Sequence, residues 1–484
     1  MIPIPEWAPD QPDLENAGAT EALNVLPGLR SHRPFRTLQS TGAAASSVRI
    51  QGSVSLRALD GSVKNFSGDE KKLYLFGGTT HSDVSRTSDT YATPSEGMWR
   101  FGQLDDIAIA VNGANEPQAF TMSSSSVFDD LGGSPPSGAR YIAVVGDVVV
   151  LGRYSSASNG LAWCAPGAVT TWASGGADEQ IMYDGGQLRG IVGGQYLTVL
   201  QERAITLGTR TQYPLTFTFD KISLDKGCFA EWSIASHEAM IFFVSHDGIY
   251  MLQGAQIVPI GAEKVDRFFF NDLDQNYLYR VTGAVDPVNK LYILSYPGSG
   301  NMTGTPNKAL IYNWQIQRWT RAEFECDFVS SAMTQSAWHT DNIDTLLTNT
   351  DANPDVSGDS SQFTGSGRIL LSAFSDDHKL AFFDGENMAA TVTTGEAQLS
   401  PGYRSFVSGV RVLADGGAPT CTLGTRNKPT DSVTWSSPVS QNDNAICPFR
   451  SEARFHRAKI QMPAGEEWSN IQGIEPEYRK AGYR

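Results

Sequence analysis

The chain has 484 residues, of which 40% are hydrophobic, 18% charged and 10% aromatic, with 47 glycines and 24 prolines. That aromatic content can build a large core and excludes a disordered chain, while the low charge and abundant glycine suit a β protein that reverses direction often. The net charge of −15 argues against a broad nucleic-acid-binding surface, which needs Lys and Arg to displace phosphate counterions.

The first residues, MIPIPEWAPDQPD, carry no basic segment followed by an apolar one, so they do not read as a secretory signal. No run approaches the ~18 apolar residues of a membrane span. Expression in a cytoplasm without a membrane anchor is the resulting expectation. Residues 1–50 read as an arm that forms part of a platform. Pro3, Pro5, Pro9, Pro12, Pro27 and Pro34 disfavour long helices. The apolar residues Trp7, Leu23, Val25, Leu26 and Phe35 mark the arm as a packing segment, laid along its own body or a neighbour, and they are the candidate interaction residues.

From residue 51 to 390 short strands dominate. Runs such as 107–111, 141–145, 148–151, 196–200, 239–244, 290–296 and 310–314 are apolar, aromatic or β-branched and are bounded by turn residues. Hairpin tips are expected at Asp105-Asp106, Gly146-Asp147, Gly193-Gly194, His237-Glu238 and Pro287–Asn289. They recur every ~40–50 residues, the period of a propeller blade in which each repeat is one four-stranded sheet. Weaker tips at Asp341 and Asp377-His378 extend the series, and an early blade is expected around residues 73–99. The predicted fold is therefore all-β: a β-propeller of about six blades, within a range of five to seven. WD and kelch signatures are absent, and a stack of β-sandwiches is the competing architecture.

Residues 345–367 are dense in Asp, Ser and Gly and read as a long loop. Residues 391–484 change rhythm and read as a C-terminal β-sandwich with its own core of Val407, Val410, Val412, Trp435, Phe455, Ile460, Trp468, Ile471 and Ile474.

Chemistry-bearing motifs are sparse. The chain has no P-loop, no GxGxxG, no HExxH and no GxSxG. His237-Glu238 begins like a zincin, but Ile241 stands where the second histidine must be. His246-Asp247-Gly248 fits a hairpin turn better than a catalytic pair. Asp351, Asp355 and Asp359 are too loosely spaced for an EF-hand, and Asp272-Leu273-Asp274 fits a polar turn as well as a cation site. Cys164, Cys228, Cys326, Cys421 and Cys447 form no CxxC pair and read as reduced, buried thiols. Trp314, Trp319 and Trp338 could stack on sugar rings, although aromatics at blade positions are more often core. No catalytic, cofactor-binding or metal residue is assigned, and no enzyme activity is expected.

Three central phrases, HDGIYMLQGAQIVPIGAEKVDRFFFNDLD (246–274), AVDPVNKLYILSYP (284–297) and PNKALIYNWQIQRWTRAE (306–323), resemble the nozzle proteins of short-tailed bacteriophages, the podophage tail hub, tail tube or DNA-stabilisation family. WAPDQPDLENAGATEALNVLPGLRSHRPF (7–35) and RFHRAKIQMPAGEEWSNIQGIEPEYRKAGYR (454–484) resemble the start and the closing domain of such proteins. The chain is compact for a nozzle. The resemblance implies a virion protein, assembled in the host cytoplasm, that forms a homo-oligomeric ring, commonly a hexamer. Its implied partners are an adaptor (the head-to-tail connector), tail fibre or needle proteins, and phage DNA that passes through the lumen without specific binding. The competing expectation is a carbohydrate-active or receptor-binding propeller at the tail tip.

Overall fold

Runs of consecutive apolar residues, unlike alternating ones, suit strands buried on both faces. Val148–Tyr154, Met240–Val244 and Leu291–Tyr296 are such runs, and they are almost wholly buried. Each is the second strand of a four-strand antiparallel unit packed between neighbouring units, which is the arrangement of a propeller blade. The structure is a computed structural model and describes residues 2–482 except Pro5, Glu15, Ala17, Gly78, Thr79, Tyr213 and 334–368.

Seven four-stranded antiparallel blades occur among the described residues. Blades 1 to 6 occupy residues 53–83, 100–130, 141–181, 188–223, 235–259 and 282–323 in order. Blade 7 consists of Phe328–Met333, Ile369–Phe374 and Leu380–Phe382, and its outer strand is Gln39–Ser40. The end of the expected arm therefore belongs to the propeller and completes its last blade. The ring also closes between blades 7 and 1, where the Asn65 side chain donates to the Met333 carbonyl at 3.0 Å and the Met333 N–H donates to Ser55 Oγ at 2.9 Å.

The expected hairpin tips are the turns between the first two strands of blades 2 to 6. Their backbone supports the assignment. Asp105 and Gly146 take φ of +51° and +61°, the left-handed conformation that a two-residue hairpin loop requires. Blade 1 lies at 53–83, earlier than the expected 73–99, because the mostly polar residues 84–99 are a connection and not a strand. The turn at Asp377-His378 joins the second and third strands of blade 7. The expectations for Asp341, Trp338, Asp351, Asp355, Asp359 and the loop 345–367 lie outside the described residues.

The arm and the C-terminal residues form a second body of two sheets. One has the order Val25–Pro27, His32–Pro34, Trp468–Lys480, Ser405–Gly416, Ile446–Ala453, with Ile2–Pro3 also pairing to Trp468–Lys480. The other is an extension of blade 6. Beyond Arg318–Glu323 the sheet continues through Ala19–Leu23, Ala390–Thr394, Phe455–Met462 and Thr420–Arg426 to reach ten strands. The sandwich core is not its own. Val392, Val407, Ile460 and Ile471 share one apolar cluster with Ile4, Trp7 and Val25 of the arm and with Phe242, Tyr292 and Trp319 of blades 5 and 6. One residue of the expected sandwich core differs. Trp435 sits on the two-residue edge strand Thr434–Trp435, is 38% exposed, and carries the Lys459 ammonium 5.1 Å from its ring centre.

Candidate functional site

Two places concentrate polar side chains: the seam between blade 6 and the sandwich, and the propeller axis. At the seam, Leu23 pairs with Arg321, strand parallel to strand. Asn24 follows at φ +56°, a conformation Asn tolerates better than most residues. Its N–H donates to the Arg321 carbonyl (2.8 Å), its side-chain amide donates to the Ala389 carbonyl (2.9 Å), and its side-chain oxygen accepts from the Glu323 N–H (2.9 Å). Glu21 receives Arg321 at 3.2 Å, Thr393 Oγ1 at 3.0 Å and Lys459 at 3.5 Å. Blade, arm and sandwich thus meet on one carboxylate. Asp10 of the arm accepts from the N–H groups of Arg267 (2.8 Å) and Phe268 (2.9 Å), covering the first turn of the helix Asp266–Asp272.

The candidate interaction residues of the arm fall into the chain's own packing. Trp7 and Val25 are buried in the shared core, and Trp7 meets Phe268 edge-on at 5.1 Å. Phe35 is buried against Phe324 and Phe383 below blades 6 and 7. Leu23 and Leu26 are half-buried.

On the axis, the short 3-10 turn Glu231–Ser233 that precedes blade 5 reaches across to the opposite blades. The Glu231 carboxylate is bridged by Arg140 at 3.1 Å and 2.5 Å, accepts a short bond from the Tyr141 hydroxyl, and has Arg153 at 3.6 Å. The Trp232 indole donates to the Glu96 carbonyl at 3.1 Å. The guanidinium carbons of Arg100 and Arg140 lie 4.9 Å and 5.0 Å from its ring centre, within cation–π range. Tyr292 of blade 6 donates to the Ser233 carbonyl at 2.8 Å. Burial, reinforced by the Glu231 charge, pushes the Tyr141 hydroxyl far above its ordinary pKa. Burial opposes the charge of Arg140, but the bonds to Glu231 outweigh it and its pKa rises. This turn forms a floor across the axial channel. Beyond the floor the channel consists of two lobes of about 390 and 400 Å³, lined by the inner strands and meeting at Arg100, Ile234 and Ser236.

Both oxygens of the Glu231 carboxylate are engaged, by Arg140 and the Tyr141 hydroxyl. His246 and Asp247 lie in the turn between Met240–Val244 and Ile249–Gln253; Asp247 pairs with Lys226 and accepts from the Tyr250 hydroxyl at 2.9 Å. His237-Glu238 is likewise a turn, with the His237 ring 5.5 Å from that of Trp314. Asp272 is held by Lys308 at 2.7 Å, and Asp274 caps a 3-10 turn through the Asn276 N–H. Trp319 is fully buried and donates to the Ile260 carbonyl at 2.8 Å. Among the described residues no three His, Cys, Asp or Glu side chains cluster as metal ligands, and no helix is long and apolar enough to cross a membrane. All five cysteines are free and buried.

The axial cluster escaped sequence reading. Its members run from Glu96 to Tyr292 and come from connections and strands of different blades, far apart in sequence, where no spacing rule applies.

No family model and no curated protein matches the chain. Among solved structures it is similar to the WD40 domain of Neurospora crassa Pan2 (8% identity, 72% of this chain and 96% of that one, TM-score 0.38). It is also similar to a chain of a mitotic checkpoint complex (9% identity, 72% and 94%, TM-score 0.39). A third similar structure is the extracellular domain of a putative one component system, BT4673, from B. thetaiotaomicron (13% identity, 83% and 47%, TM-score 0.41). At these identities the likeness concerns fold alone.

Proposed function

We propose that the chain is a structural component of a short-tailed phage tail, a nozzle protein that forms a ring below the portal and adaptor and through which the genome leaves. The observation that carries this reading is the ten-stranded sheet that runs from blade 6 through the arm into the sandwich. A continuous sheet and a shared core make propeller and platform one rigid unit, which suits a part that must hold pressurised DNA without hinging. The floor at Trp232 closes the blade axis, so the lumen would run between protomers and not through a propeller. A net charge of −15 favours a wall along which a polyanion slides instead of sticking. The competing reading, a carbohydrate-active or receptor-binding tail-tip propeller, gains nothing from Trp319, which is core. In this reading the chain catalyses nothing and needs no cofactor.

The reading is tested by electron microscopy of purified virions labelled on this chain, together with sedimentation of the purified protein. Label at the tail and a closed ring are expected. Label absent from the tail overturns the proposal.

A further inference from the structure

The inner strand of every blade has one unpaired edge, so its backbone N–H and C=O groups face the axial channel and need partners there. Two lobes of about 390 and 400 Å³ lie along these edges, a volume that suits a small ligand. Both lobes end on Arg100, the first residue of the inner strand of blade 2. This arginine differs from its neighbours. Arg140 and Arg153 share Glu231, whereas Arg100 has no ion-pair partner among the described residues and rests only against Trp232, at 4.9 Å. The Glu231 charge favours the Arg100 cation from a distance, but both carboxylate oxygens already accept from Arg140 and the Tyr141 hydroxyl. A half-buried cation with no counter-ion in contact is costly. Burial accordingly holds the Arg100 guanidinium below its ordinary pKa.

We infer that the channel floor is a binding site for a small hydroxylated carboxylate, with Arg100 taking the carboxylate and the strand edges, Ser53 and Ser236 taking hydroxyls. A planar guanidinium fork matches a carboxylate through two parallel bonds. The stack on Trp232 fixes the plane of that fork before the ligand arrives. The serines line the lobes beside it. The same carboxylate chemistry could come from an acidic sugar or from an acidic side chain of another protein. The site does not depend on the nozzle reading, because it uses one protomer only.

The test is calorimetric titration of the full chain with D-glucuronate and with glutarate, using D-glucose and inorganic phosphate as controls. Saturable one-to-one binding of glucuronate is expected, with glucose silent and phosphate at least tenfold weaker. Glutarate binding as well as glucuronate supports a site for acidic side chains also; glucuronate binding alone supports an acidic sugar. Arg100→Met keeps a long apolar stem against Trp232 and is expected to lose at least tenfold in affinity. Arg100→Lys keeps the charge without the fork and is expected to lose less, so the inference stays testable if the methionine variant does not fold. Binding of neither acid, phosphate binding as tight as glucuronate, or full affinity in a folded Arg100→Met protein overturns it.

Discussion

Leu23 and Arg321 lie side by side in parallel strands, and at this pairing the sheet of blade 6 passes into the arm and sandwich. Parallel strands need a long connection between them. Here the connection is most of the propeller, so the two bodies cannot separate without opening a sheet.

The residue next to that pairing should be sensitive. Asn24→Ala removes two side-chain bonds, leaves the Glu323 N–H and the Ala389 carbonyl short of partners, and puts a residue less tolerant of the left-handed region than Asn at φ +56°. A loss of about 2–4 kcal/mol is expected from unsatisfied buried groups and backbone strain. Urea unfolding should show a lowered midpoint, and Asn24→Gly, which relieves the backbone but not the bonds, should recover part of it.

The axial floor gives a second expectation. Glu231→Gln leaves Arg140 charged and buried without its counter-ion, a change that costs about 3 kcal/mol or more. Replacing Arg140 by Met as well should cost less than the sum of the two single changes, since the stranded charge is gone. The midpoints of the three variants measured together check this.

Stability should also depend on mildly acidic pH. Burial holds His32 and His456 at about 4, against an ordinary value of 6.5, and neither ring nitrogen of His456 has a partner. Between pH 6.5 and 4 the unfolded chain binds protons that the folded chain refuses, so each histidine removes stability as pH falls, by at most roughly 3 kcal/mol. Above pH 6.5 and below pH 4 neither changes stability further. Asp266 acts oppositely, because burial raises its carboxyl to about 6 and protonation below that favours the fold. His456→Leu should leave the midpoint at pH 7 almost unchanged and lessen the fall between pH 6.5 and 4. Because Asp266 is common to both proteins, the difference between their pH profiles isolates His456.

Thiol chemistry offers a simpler check. Cys164, Cys228, Cys326, Cys421 and Cys447 are all buried, and burial pushes the Cys228 and Cys326 thiols well above their ordinary value. The native protein should react with less than about one equivalent of a thiol reagent, because a buried, protonated thiol is a poor nucleophile. The denatured protein should react at all five cysteines.

Much of the propeller was legible because its signals are local. Gly146-Asp147 and Asp105-Asp106 announce hairpins by turn chemistry, and apolar runs such as 240–244 announce strands covered on both faces. Pairings between distant residues leave no such trace. Nothing around Gln39–Ser40 marks a blade strand, since two polar, exposed residues become one only by meeting Leu380–Phe382. The sandwich strands were readable by alternation, but their core was not separable by eye. Val407 and Ile460 look the same whether they face a private core or, as here, one shared with Trp7 and Tyr292. At the axis, Arg140 and Glu231 are 91 residues apart, and Arg100 matters through what it fails to touch.

The outer strand of blade 7 has a consequence for how the molecule is made. Thr41 follows that strand and bonds to the Leu380 carbonyl, 339 residues further along. A ribosome therefore delivers one half of the clasp early and the other half only after every intervening blade. A chain cut short before Leu380 leaves Gln39–Ser40 without the strand it pairs with and lacks the sandwich strands that follow. Blade 7 therefore gains its outer strand only after Leu380–Phe382 has been synthesised.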